Sequence, residues 1–261
     1  MQPQTVALPP ALRVSGLRVT YGPVVAVDGI DLEVGRGEIY GLLGPNGAGK
    51  TSALSAIEGL LRPAAGDIVI GDIDARAHRM QARAQLGVQL QATSFHSNLK
   101  LPELVRLFAG LYGVTLSPAQ ILELLKEINL QQEASKRFRE LSGGQQQRFS
   151  LLIATIHDPA LVLLDEPTAG LDPQARRQLW DRIERFRKEG RSILLTTHSM
   201  EEAQAVCDRV AIMDQGKILT IGTPAGLIAA HRDDPQVRQA ARGEVTLEDV
   251  FIALTGRALR D

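Results

Sequence analysis

The sequence predicts an α/β protein: a parallel sheet covered by helices, with an antiparallel β layer at its N-terminal side and a helical subdomain inserted between its strands. Three observations predict it. Short β-branched runs punctuated by glycine fill the stretch from Leu12 to Val34. A buried-strand pattern at Glu38 to Leu43 leads through a glycine-rich turn into a helix. After a helical middle third, strand and helix alternate again, as a parallel sheet covered by helices requires.

Each element has its own local reason. Leu17 to Tyr21, Val24 to Val27 and Ile30 to Val34 read as strands separated by turns at Gly22-Pro23 and Gly29. The helix after the glycine-rich turn is expected from Lys50 to about Leu61, ended by Arg62-Pro-Ala-Ala-Gly66, with strand resuming at Asp67 to Ile70. Apolar residues at helical spacing mark Leu99 to Tyr112 and Pro118 to Leu130, the second opened by Ser117 as a cap and Pro118 in the first turn. Strands are expected at Ala160 to Leu164 and Ser192 to Thr197, flanking a helix that begins near Pro173. Val210 to Met213 and Lys217 to Ile221 form a hairpin around Asp214-Gln-Gly216. The tail from Pro224 is helical, broken at Asp233-Asp-Pro235. Its last helix opens with the capping-box pattern Thr246-Leu-Glu-Asp249.

Composition narrows the function classes. With 261 residues, 44% hydrophobic and 23% charged, the chain is an ordinary globular protein near the upper size of one domain. A formal net charge of -1 argues against a protein that binds nucleic acid by neutralising many phosphates. The single cysteine, Cys207, rules out an intramolecular disulfide and reads as a small buried hydrophobe. No apolar run reaches the roughly 18 residues of a membrane-spanning helix, and Met1 to Leu12 lacks the charged-then-apolar pattern of a secretory signal.

The strongest chemical signal is Gly44-Pro45-Asn46-Gly47-Ala48-Gly49-Lys50-Thr51, a phosphate loop between a strand and a helix. Its glycines let backbone N–H groups converge on a phosphate chain, and the helix start adds a favourable dipole. Lys50 is then placed to reach the β- and γ-phosphates and Thr51 to ligate Mg²⁺. A second signal is Leu161-Val-Leu-Leu-Asp165-Glu166, an apolar strand that delivers two carboxylates to the same end of the sheet. Asp165 suits the metal and Glu166 the polarisation of an attacking water. Alone, such a pair is as often a helix cap; beside a phosphate loop that reading loses weight. Together the two signals define a P-loop nucleotide site, for ATP with Mg²⁺, but not a family, since kinases, GTPases and motor proteins share them.

Leu141-Ser142-Gly143-Gly144-Gln145, continued by Gln146-Gln147-Arg148, resembles the signature of the ABC ATPases. Physically, Ser142 and the two glycines precede a helix from Gln145 to about Thr155, a second anion-binding helix start in a chain with one carboxylate pair. The resemblance implies that the signature of one subunit packs on the γ-phosphate held by the other, in a head-to-tail dimer. It covers about Leu12 to Gly222 and assigns further positions. Tyr21 matches the residue that stacks on adenine, and Ser52 completes the nucleotide-binding loop. Gln91 matches the glutamine that touches Mg²⁺ and the attacking water, preferred over Gln89 because it ends the apolar stretch. Asp172 matches the aspartate loop that communicates between subunits, and His198 the histidine on the γ-phosphate. Ala92 to His96 departs from the family in lacking the acidic residue often found after the glutamine.

The resemblance further implies a division into a lead-in (1–11), an ATPase domain (12–222, helical subdomain about 92–155) and a C-terminal helical extension (223–261). It implies a separate transmembrane permease chain and a peripheral location on the cytoplasmic face of the membrane. Ile212-Met-Asp-Gln-Gly-Lys217, Gly222-Thr-Pro224 and Thr246 to Phe251 look like the branch that powers drug, antibiotic or polysaccharide exporters. The rival is a soluble ATPase of the same type acting on ribosomes or DNA. Against it stand a single phosphate loop, no sustained heptads and near-neutral charge. No nucleic-acid partner is expected.

Overall fold

The computed structural model describes residues 8–89, 95–96, 98–241 and 243–256. Most of the expected lead-in and the position of Gln91 lie outside them. Two sheets organise the rest. The first is antiparallel, in the order β2-β1-β4-β5, built from β1 (Leu12–Tyr21), β2 (Val24–Val34), β4 (Ala65–Ile70) and β5 (Ile73–Asp74). The second runs β10-β9-β3-β8-β7-β6, from β3 (Ile39–Leu43), β6 (Leu86–Val88), β7 (Leu161–Asp165), β8 (Ser192–Thr197), β9 (Arg209–Asp214) and β10 (Lys217–Gly222). Its strands pair in parallel except at the β9–β10 hairpin.

The expected turn at Gly29 is instead the inside of one strand. Leu17 pairs with Ile30 and Arg18 with Asp28, so Gly29 is an extra residue bulged out of β2, and its φ of 72° is the conformation such a bulge needs. The helix expected to reach Leu61 closes earlier, as α1 (Lys50–Ile57). A short α2 (Arg79–Ala84) and the strand β6 follow without a strong pattern to announce them.

The helical middle third is α3 (Leu101–Leu111), α4 (Pro118–Glu127) and α5 (Gly143–Thr155). Ser117 caps α4 reciprocally with Gln120, as the sequence requires: the Gln120 amide donates to the Ser117 hydroxyl and the Ser117 amide to the Gln120 side chain. These helices share their own core, in which Phe95 stacks on Phe138 at 4.3 Å and meets Phe149 edge-on at 5.6 Å.

The other two cores lie on opposite faces of the large sheet. One is formed with α1 and the antiparallel layer. The other is covered by α6 (Pro173–Lys188) and α7 (Met200–Val206), and by α8 (Pro224–His231), α9 (Pro235–Ala240) and α10 (Leu247–Thr255). The tail helices seat Leu227, Val237, Val250 and Phe251 in this core. Among the described residues no helix is long and apolar enough to cross a membrane.

Candidate active site

Strand register brings the chemistry to one edge. Leu43 at the end of β3 lies beside Thr197 of β8, and Asp165 at the end of β7 lies beside Thr196. All of β3 and β8 are buried, so the first groups able to leave the sheet are those just past the strand ends: Gly44 onward, Asp165-Glu166 and His198. In a parallel sheet that is where ligands bind.

The loop from Gly44 to Thr51 is pinned on both sides. The Gly44 amide donates to the Thr197 carbonyl at 3.3 Å, and the Gly216 amide donates to the Ala48 carbonyl at 2.9 Å. Two of its glycines are sterically obligatory. A Cβ on Gly44 would sit 2.3 Å from the Met213 carbonyl oxygen. One on Gly49, which has a φ of 104°, would sit 2.2 Å from that of Ala26. Gly49 precedes α1, whose first amides face the loop.

Lys50 is almost fully buried. Its ammonium donates to the carbonyls of Gly44 (2.8 Å) and Pro45 (3.1 Å) and stands 3.5 Å from Glu166 Oε1. Burial lowers its pKa, opposed by the charges of Glu166 and Asp165 and by the Glu166 hydrogen bond. The lysine is thus a desolvated cation on a loop of aligned dipoles, able to move to an anionic ligand that outcompetes two carbonyls.

Facing it, the Thr51 hydroxyl donates to Asp165 at 3.3 and 3.5 Å from its two oxygens. The Thr196 hydroxyl donates to Asp165 Oδ1 and accepts the Glu166 amide at 3.0 Å, while the Thr196 carbonyl accepts the same amide at 3.1 Å. Thr196 therefore locks both carboxylate residues at once. Glu166 has a φ of 46°, a left-handed backbone that few non-glycine residues adopt and that it shares with Asn129, Asp158 and Gln215. His198 Nδ1 stands 3.4 Å from Glu166 Oε1, the oxygen that also faces Lys50. A cavity of about 290 Å³ opens between Ala26, the Asn46–Ser52 loop and Glu166. Tyr21, half exposed at the end of β1, reaches it through a 3.4 Å contact between its hydroxyl and that of Ser52.

The structure thus gathers Tyr21, Gly44 to Ser52, Asp165, Glu166 and His198. It does not bring Ser142 to Gln145 to them. Ser142 caps α5, its hydroxyl accepting the Gln145 amide at 3.4 Å and its amide donating to Gln145 Oε1 at 2.9 Å, and Gln145 Nε2 donates to Glu133. Among the described residues, this segment shares no hydrogen bond or ion pair with the phosphate loop. Asp172 likewise caps its helix, accepting the Ala175 amide at 2.8 Å. Gln91 lies outside the described residues. Gln89 keeps a buried Oε1 without a hydrogen-bond partner among them. Sequence reasoning missed Thr196; its only signal is a hydroxyl on a buried strand beside paired carboxylates.

Comparison with known proteins places this geometry. A family model described as ABC transporter matches residues 27–169. The Nod factor export ATP-binding protein I of Cupriavidus metallidurans is 41% identical, aligned over 96% of this chain and 99% of that protein. Its counterpart in Ralstonia nicotianae is 39% identical over 84% and 69%. A solved ATP-binding subunit of an ABC transporter superposes with a TM-score of 0.79 at 30% identity, covering 94% of this chain and 99% of that one. The cbiO1 protein of Clostridium perfringens, part of the ABC transporter complex cbiONQ, superposes with 0.75 at 26%, over 89% and 94%. Motifs, sheet order and similarity over nearly the whole chain agree: the chain belongs to the ABC transporter family, as an ATP-binding subunit with ATPase activity.

Proposed function

We propose that the chain energises an exporter of amphipathic compounds such as drugs or antibiotics, as a peripheral subunit on the cytoplasmic face of the membrane that drives a separate permease chain. The relatives named for Nod factor export support the direction of transport. In this reading the backbone of Gly44 to Ser52 cradles the phosphates, Lys50 leaves its two carbonyls for the β- and γ-phosphates, and Tyr21 offers its exposed ring to the base. Glu166 accepts a proton from the attacking water, and His198, on the same carboxylate oxygen, orients Glu166 and contacts the γ-phosphate.

The residues present fit Mg²⁺. The Thr51 hydroxyl and the Asp165 carboxylate are hard oxygen donors already in contact. Among the described residues no group of three or more His, Cys, Asp or Glu side chains gathers to hold a metal ion. When bound, the ion neutralises charge on the phosphate oxygens. Gln91 is proposed as a further contact to the ion and the water.

The observation that carries the catalytic assignment is the convergence of Lys50 and His198 on one oxygen of Glu166, at 3.5 and 3.4 Å. The Ser142 to Gln145 helix start, separate from the loop in its own chain, is proposed to meet the γ-phosphate of a second subunit in a head-to-tail dimer, with Asp172 at the subunit contact. The test is Glu166→Gln. Loss of a positioned base costs about 10²- to 10⁴-fold, so steady-state hydrolysis falls by that factor while ATP binding persists. Hydrolysis at the wild-type rate overturns the assignment of the base.

A further inference from the structure

No other carboxylate among the described residues is as enclosed as Glu202, which is 0% exposed. It sits in the first turn of α7, its amide donating to the Ser199 cap at 3.2 Å. Its side chain turns inward, between three elements that border the active site. Trp180 of α6 donates its indole N–H to Glu202 Oε1 at 3.4 Å. The hydroxyls of Thr168 and Thr197 face the same carboxyl without closing bonds of full hydrogen-bonding geometry, and Oε2 has no hydrogen-bond partner among the described residues.

Those neighbours are not arbitrary. Thr168 lies in the turn that follows Glu166, closed by the Ala169 amide on the Glu166 carbonyl and the Leu171 amide on the Thr168 carbonyl. Thr197 is the last residue of β8 before His198, and its hydroxyl accepts the Ser199 amide at 2.9 Å. Trp180 lies on α6, which Asp172 opens. One carboxyl therefore faces the turn behind the base, the strand end behind the histidine and the helix behind Asp172. Packing alone does not call for a carboxyl here: a Met of similar volume fills the space without the cost of desolvating a polar group. Burial raises the Glu202 pKa, with the Thr197, Thr168 and Trp180 donors and the Arg176 charge opposing.

We propose that Glu202 is a positioning residue for hydrolysis, whose carboxyl ties the turn after Glu166 to the strand end before His198 and so keeps the Glu166–His198 pair at working distance. This rests on the assignment of Glu166 as the base. Oε2 is a buried acceptor with no hydrogen-bond partner among the described residues, and the Thr168 and Thr197 hydroxyls are the donors beside the carboxyl.

The test compares kcat, KM for ATP and Tm of the full chain in Glu202→Met, Glu202→Gln and Glu166→Gln. Small displacements of reacting groups cost on the order of 10²-fold. Glu202→Met is expected to lose about tenfold to a hundredfold in kcat, with KM for ATP and Tm nearly unchanged. Glu202→Gln, which keeps an oxygen for the Trp180 indole and a polar group beside the two threonine hydroxyls, stays within about twofold of wild type. A Glu202→Met variant with wild-type kcat beside an inactive Glu166→Gln overturns the proposal and leaves the base assignment standing; a fully active Glu166→Gln overturns both. A Glu202→Gln as slow as Glu202→Met also overturns the proposal. If Glu202→Met does not fold, Thr168→Val supplies the second arm. It removes one of the facing hydroxyls at constant shape, and an unchanged kcat in it overturns the proposal.

Discussion

Replacing Thr196 by Val deletes one hydroxyl and keeps the shape of a fully buried side chain. That hydroxyl donates to Asp165 Oδ1 and accepts the Glu166 amide. The amide keeps its second partner, the Thr196 carbonyl at 3.1 Å, so its loss is partial. Asp165 loses a donor, and the long contact from Thr51 at 3.3 to 3.5 Å is a weak substitute. A hydrogen bond to a charged group contributes about 1.5–3 kcal/mol, which sets the expected cost near 2 kcal/mol. For a domain of this size that is a fall in Tm of about 4–8 °C. Because the freed groups are the two carboxylate residues, kcat falls as well, by roughly tenfold or more, with a smaller change in KM. Thr196→Ser, which retains the hydroxyl, keeps most of the activity. Thermal unfolding and steady-state hydrolysis on the three proteins decide the matter. A Val variant with wild-type Tm and kcat would show that Thr196 does not hold the two carboxylate residues.

Other perturbations test separate parts of the account. Gly49→Ala forces a Cβ to within 2.2 Å of the Ala26 carbonyl at a φ of 104°; a cost on the order of 2–4 kcal/mol is expected, with ATP binding weakened, and equilibrium binding of a fluorescent ATP analogue measures it. Tyr40 is fully buried with no hydrogen-bond partner for its hydroxyl among the described residues, and burial pushes its pKa up to about 12. The folded value lies above the unfolded one, so this contribution is complete below about pH 10 and is lost as pH rises towards 12, on the order of 2–3 kcal/mol in all. Tyr40→Phe removes that alkaline loss and leaves stability at neutral pH unchanged or slightly higher; chemical denaturation at pH 8 and pH 11 on both proteins reads the difference.

How far the sequence spoke for the structure depended on whether local signals had competitors. Ser192 to Thr197 is observed with the bounds expected, because six residues buried on both faces leave no rival periodicity. Pro118 and Pro173 fixed helix starts for the same reason, each preceded by a capping side chain. Gly29 misled because a bulge and a turn ask for the same residue, and only strand pairing tells them apart. Arg79 to Ala84 has too few apolar residues to show a period, and β6 is only three residues long. At the site, loop and carboxylates were legible because their spacing is set by phosphate chemistry. Thr196 and Glu202 were not. Glu201 and Glu202 are adjacent and chemically identical, yet Glu201 is largely exposed and pairs with Arg176 while Glu202 is enclosed. The phase of α7 against the core decides between them, and that phase is a tertiary fact.

The central claim, that the phosphate loop of one subunit is completed by the Ser142 to Gln145 helix start of another, is tested most directly by the mass in solution of Glu166→Gln with saturating ATP and Mg²⁺. A stable dimer that reverts to monomer when Ser142→Arg is added to the same chain is the result expected. A Glu166→Gln protein that stays monomeric at saturating ATP, or a dimer indifferent to Ser142→Arg, would contradict it.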